Sequence, residues 1–120
     1  MKIVSLCFDD GLERSTPKIL ELLTERGITA TFAALAAPEQ TVDPFIRASG
    51  CVGWDIWAQA IAAGHAVEPH GLAHEHLGRA AFAEAVHAIE ATFAIFEERL
   101  AGFDAGRAVF HLPYMVASQS

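Results

Sequence analysis

The chain has 120 residues, with 15 acidic residues against 8 lysines and arginines, a formal net charge of −7 and 52% hydrophobic residues. That length gives one domain over residues 1–120, and an acidic balance with no basic cluster argues against nucleic acid or an anionic membrane as partner. No run reaches the roughly 18 uninterrupted apolar residues of a membrane span.

In chain order, the apolar run Ile3 to Phe8 reads as a buried strand over residues 2–8, ending on Asp9-Asp10-Gly11. A helix is expected over 17–26, with Thr16 as N-cap, Pro17 at its first position and Gly27 past its end. A second strand is expected at about 29–35, then a short polar loop from Glu39 to Asp43 and helices over 44–48 and 54–63. Residues 65–68 read as a short third strand leading into a histidine-rich loop. A long alanine-rich helix follows at about 78–100, with Phe82, Val86, Ile89, Phe93 and Phe96 at helical spacing as its core face. A fourth strand is expected at 107–112, and a polar, frayed tail from 116 to 120. Every crossover is strand–helix–strand, so the sheet should be parallel and the class α/β.

Three segments carry chemistry. Asp9 and Asp10 stand where the first strand should meet solvent at its carboxyl end, the edge where α/β folds bind ligands. Adjacent carboxylates repel, so both stay ionised most easily beside a cation or strong donors. An ordinary turn, with Asp capping the next helix and Gly11 supplying an unusual φ, accounts for the same residues. Four of the six histidines lie within 64–77, and His70 and His74 have the spacing that sets two imidazoles on one face of a helical turn. Two imidazoles and one carboxylate suit zinc and leave coordination positions open, as in a catalytic site. An exposed polar loop would carry the same pair. The third segment, Val109 to Tyr114, is an apolar strand running into Pro113.

Together and in this order, these segments resemble the polysaccharide deacetylase family, the NodB-homology domain of carbohydrate esterase family 4. Cys7-Phe8-Asp9-Asp10-Gly11 is similar to its S/T-F-D-D-G motif. Gly64-His65 followed by His70-Gly71-Leu72-Ala73-His74 resembles its G-H and H-[S/T]-x-x-H stretch. His111-Leu112-Pro113-Tyr114 is similar to R-x-P-Y, and Gly27 to Phe32 resembles the family's second strand. The resemblance covers residues 1–114. It implies a partial (β/α) barrel of about four parallel strands, a divalent metal, most readily zinc, on Asp10, His70 and His74, and Asp9 as general base. The backbone N–H of Tyr114 would help stabilise a tetrahedral oxyanion. The implied reaction is hydrolysis of an N-acetyl group, or an acetyl ester, on a carbohydrate.

Departures from the pattern are specific. Cys7 replaces Ser or Thr, Gly71 replaces the hydroxyl residue after the first ligand histidine, and His111 replaces the arginine that orients the base. Histidine takes over that role only when protonated, below about pH 6.5. The family's later motifs, including its general-acid histidine, would lie beyond residue 120, so a chain cut after the third motif is expected. A full barrel takes about 250 residues. The uncovered half of such a barrel would expose strand edges, which favours self-association into a homo-oligomer. The second reading is a catalytically impaired metal-binding or assembly module. Cys7 and Cys51 are too few for a disulfide framework and read as reduced thiols. Asp9 and Asp10 interrupt any leader-like apolar core, so a cytoplasmic location is expected. His65, His76 and His87 read as solvated or structural, Trp54 and Trp57 as packing, and Glu68 as a solvated acid or an extra ligand.

Overall fold

A parallel three-stranded sheet organises the chain, of which the computed structural model describes residues 1–115. The tail expected at 116–120 lies outside the described residues. Strands β1 (Cys7–Asp9), β2 (Thr31–Ala34) and β3 (Ala66–Pro69) lie in the order β1-β2-β3. Cys7 pairs with Thr31 and Thr31 with Ala66, so the carboxyl ends of all three strands open on one edge. The central strand is covered on both faces, as a parallel sheet requires, and Phe32, Ala33 and Ala34 are all buried.

Helix α1 (Thr16–Glu25) carries the chain back from β1 to β2. Pro17 starts it, and Gly27 ends it at a φ of 62°, a conformation that suits glycine. Its N-cap is Ser15 rather than Thr16, with no side-chain capping bond. Helices α2 (Pro44–Ser49) and α3 (Trp54–Ala62) fill the second crossover. The carboxylate of Asp43 caps α2, accepting from the N–H groups of Phe45 and Ile46 at 2.9 and 3.2 Å. Beyond β3, helix α4 (Phe82–Arg99) packs back along the sheet. None of the helices is long and apolar enough to cross a membrane, among the described residues.

Aromatic rings join these layers. Phe32 stacks with Phe8 at 5.5 Å and meets Trp57 at 5.8 Å and the edge of His65 at 5.5 Å. Phe96 of α4 meets Trp54 and Phe103, both at 5.2 Å. Both tryptophans therefore pack as expected, Trp57 in the core and Trp54 against α4.

Three expectations need correction. Residues 2–8 are not a buried strand: Ile3 and Val4 are more than 80% exposed. Among the described residues β1 is an edge strand with β2 on one side, and no helix covers residues 3 and 4. The fourth strand at 107–112 does not form. His111 donates to the Pro69 carbonyl at 2.8 Å, but the N–H of Val109 goes to the Glu68 carboxylate instead of the β3 backbone. That side chain interrupts the ladder and leaves three strands where about four were expected. In α4, Phe82 and Val86 are exposed because the stripe facing inward runs through Ala88, Thr92 and Phe96.

Candidate metal centre

The turn after β1 points its acid inward by backbone conformation. Asp10 has a φ of 75° and Gly11 of 69°, left-handed values that a non-glycine residue seldom holds. The Asp10 N–H donates to the Ala33 carbonyl at 2.9 Å, and the Gly11 carbonyl accepts from Val52 at 2.9 Å. Neither aspartate caps α1, so the simple capping reading of this turn fails. Trp57 packs so close to Gly11 that a β-carbon there would stand 2.3 Å from the indole ring.

His70 continues β3, its N–H donating to the Ala34 carbonyl at 2.9 Å, and its ring is 2% exposed. His74 does not sit one helical turn away, because residues 71–76 are an irregular loop rather than a helix. The loop is braced by Glu75, whose two carboxylate oxygens accept from the N–H groups of Leu72 and Ala73, both at 2.8 Å. His74 itself has a φ of 63°. Gly71 has a φ of 91°, and a β-carbon there would lie 2.6 Å from Glu75. A side chain at position 71 would need the Glu75 carboxylate to shift and would sit on a left-handed backbone that favours glycine.

The three side chains meet. His70 Nε2 lies 3.2 Å and His74 Nε2 3.4 Å from Asp10 Oδ1, and one ligand atom of each residue falls within 4.8 Å of the others. The opposite ring nitrogens are already committed. His70 Nδ1 lies 3.0 Å from the His111 carbonyl, and His74 Nδ1 lies 3.3 Å from Asp43 Oδ2. A carbonyl and a carboxylate can only accept, so each Nδ1 carries the proton and each neutral Nε2 presents a lone pair. Asp10 Oδ1 is correspondingly buried without a hydrogen-bond partner. Three acceptors facing one another with no donor between them fit a divalent cation.

In the absence of an ion, a proton can take that place. Burial opposes a charged His70, but Asp10, the His111 carbonyl and the charge of Asp9 outweigh it and leave its pKa above the ordinary 6.5. A raised imidazole pKa stabilises the metal-free fold below the ordinary value, and this stabilisation is lost as pH rises through the folded value. Zinc must displace that proton. Its affinity, followed by calorimetric titration, is expected to rise steadily from about pH 6 to about pH 8.

Other candidates fall at different distances. Asp9 is exposed at the end of β1. His111 does not reach it directly: Cys7 Sγ stands between them, 3.6 Å from Asp9 Oδ1 and 3.9 Å from His111 Nδ1. Tyr114 donates its hydroxyl to Asp43 Oδ2 at 2.8 Å and lays its ring 4.4 Å from His74 and 5.1 Å from His76. That bond to the carboxylate raises the phenol's pKa and lowers the carboxyl's. His76 therefore stacks on Tyr114 outside the ligand cluster. His65 is structural, its Nδ1 accepting from Ala30 N–H at 3.1 Å, and Glu68 serves Val109. The sequence reading missed Asp43 and Glu75. Asp43 directly before Pro44 is a legible helix-cap signature; nothing marked Glu75.

Cys51 lies beneath the turn, its thiol donating to the Asp10 carbonyl at 3.2 Å. Burial, with the charges of Asp10 and Glu13, pushes its pKa up to about 11. Partial burial and the charge of Asp9 also push the Cys7 thiol up, but Cys7 is exposed, so iodoacetamide at about pH 8 should label Cys7 faster than Cys51, as read by peptide mass spectrometry.

Comparison with known proteins now decides the family. The family described as polysaccharide deacetylase matches residues 1–115. The chain belongs to the polysaccharide deacetylase family. Among solved structures it is similar to the peptidoglycan deacetylase PdaC of Bacillus subtilis, at 25% identity and a TM-score of 0.72, over 98% of this chain and 52% of that one. It also shares its fold with a family 4 carbohydrate esterase of Streptomyces lividans solved with acetate, at 23% identity and TM-score 0.68, over 96% of this chain and 53% of that one. A family 4 acetyl xylan esterase of Clostridium thermocellum solved with a cobalt ion matches at 22% identity and TM-score 0.70, over 98% of this chain and 51% of that one. No curated protein matches the chain. The chain spans about half the length of these structures and matches their α/β fold over that part.

Proposed function

We propose that the chain is a metal-dependent hydrolase that removes acetyl groups from an N-acetylated sugar or a related acetyl ester. The observation that carries this reading is the convergence of Asp10 Oδ1, His70 Nε2 and His74 Nε2, three acceptors with no donor among them. Those residues would hold a divalent ion, most readily zinc. Such an ion supplies a Lewis acid that acidifies water and polarises an acyl oxygen.

The chain's own groups set the rest. Asp9, adjacent in sequence to a ligand yet exposed, is placed to take the proton of the attacking water. The water oxygen would add to the acetamide carbonyl, and as the C–N bond breaks the proton held on Asp9 would pass to the departing nitrogen, giving acetate and a free amine. The N–H of Tyr114 is the proposed donor to the oxyanion. The Nδ1–H bonds of His70 to the His111 carbonyl and of His74 to Asp43 would keep each Nε2 turned toward the ion while the proton moves on Asp9.

One observation favours the second reading, a metal-binding or assembly module with weakened catalysis. The cation that would orient Asp9 is replaced by a relay through Cys7 to His111. The deciding experiment follows acetate release from N-acetylated oligosaccharides by the zinc-loaded chain. Asp9→Asn is expected to cut the rate by at least about 100-fold with zinc still bound. Bound zinc with no turnover of any acetylated sugar or ester would leave the module reading standing.

A further inference from the structure

We propose that Asp43 is a positioning residue of this centre, holding His74 in the tautomer that binds metal and coupling that ligand to Tyr114. The inference rests on the reading of Asp10, His70 and His74 as metal ligands and adds a fourth residue behind them. Its carboxylate is divided between two tasks. Oδ1 accepts from the first N–H groups of α2, Phe45 and Ile46, which fixes the plane of the group. Oδ2 is then aimed away from the helix, where it accepts from His74 Nδ1 and from the Tyr114 hydroxyl.

The two ligand histidines differ in what sets their tautomers. His70 is held by a backbone carbonyl, which no side-chain substitution removes. His74 depends on the side chain of Asp43 and sits in an irregular loop with a left-handed backbone. Without an acceptor at Nδ1, its proton can move to Nε2 and form a hydrogen bond with Asp10 Oδ1 in place of the cation. A carboxylate behind an imidazole also makes it a stronger ligand. Tyr114, packed 4.4 Å from the His74 ring and tied to the same oxygen, joins the segment after Pro113 to the metal ligand through Asp43.

The test uses Asp43→Asn. Asparagine caps a helix as well as aspartate, so α2 is kept, whereas an amide NH₂ at the Oδ2 position donates instead of accepting. The metal-free melting temperature should match wild type. Zinc affinity should fall about 10–100-fold, and the visible spectrum of the cobalt-loaded chain should change as the His74 ligand loosens. Asp43→Ser, which also caps α2 but is too short to reach His74, should lose affinity to the same degree. Wild-type zinc affinity in Asp43→Asn would overturn the proposal. So would affinity losses that merely follow lowered metal-free melting temperatures in both Asp43 variants. Failure of the wild-type chain to bind zinc would overturn the metal reading itself, a separate result from failure of the Asp43 variants alone.

Discussion

Replacing His70 by alanine is expected to abolish zinc binding, with a fall in affinity well beyond the roughly 100-fold that losing an outer hydrogen bond costs. His70 is the most deeply buried of the three ligands, and its Nε2 is the nearer imidazole nitrogen to Asp10. Its removal leaves one carboxylate and one imidazole, too few donors to hold zinc against water. The substitution also leaves the His111 carbonyl without its partner, at a cost of about 1–3 kcal/mol to the metal-free fold. Calorimetric titration with zinc measures the first effect and thermal unfolding the second. His87→Ala, on the exposed side of α4, is the control and should bind as wild type. Unchanged zinc affinity in His70→Ala would remove His70 from the ligand set.

Gly11→Ala should be the most damaging single-methyl change in the chain. Its β-carbon would stand 2.3 Å from Trp57 Cζ2 and 2.9 Å from Cη2, on a backbone at φ +69°. The left-handed conformation costs an ordinary residue about 1–2 kcal/mol, and forcing a buried ring aside about 1–3 kcal/mol more. A total of about 2–5 kcal/mol is a large share of a small domain's stability and lowers its melting temperature on the order of 10 °C. Gly27→Ala separates the two causes. Position 27 has a similar φ of +62° but nothing within 4 Å of the added carbon, so only the smaller conformational cost should appear. Equal losses at both positions would show that Trp57 yields freely. Because Gly11 follows Asp10, any shift of the turn should also weaken zinc binding.

The three residues of the candidate centre were legible in the sequence, although one reason for pairing them was not. Asp10 was marked by an apolar run ending on two acids, and His70 and His74 by their spacing. Helical spacing suggested a shared face, yet the imidazoles converge from a loop that Glu75 folds by binding two amide groups. Such a brace depends on tertiary position and carries no periodicity. Asp43 was hidden for a related reason: as a capping residue it was readable, but its second oxygen found a use only once α2 was set beside the loop. The strands were read by content and misjudged by context. An apolar run at 3–6 looks the same whether or not a neighbouring layer covers it, and here none does. Segment 107–112 has strand composition, but a single carboxylate, Glu68, takes the amide that would have paired. The glycine at 71, read as a missing hydroxyl, also holds a φ of 91° beside the Glu75 carboxylate.

Asp10 follows β1 and His70 follows β3, the two outer strands, which share no pairing of their own. An ion held between them would tie the ends of the sheet together across β2, at a site the unfolded chain would lack. Metal uptake would then add to the stability of the metal-free fold. At a free concentration 100 times the dissociation constant, such a ligand adds about 2.7 kcal/mol to the folded state. The lifetime of the folded chain would then lengthen with the supply of metal around it.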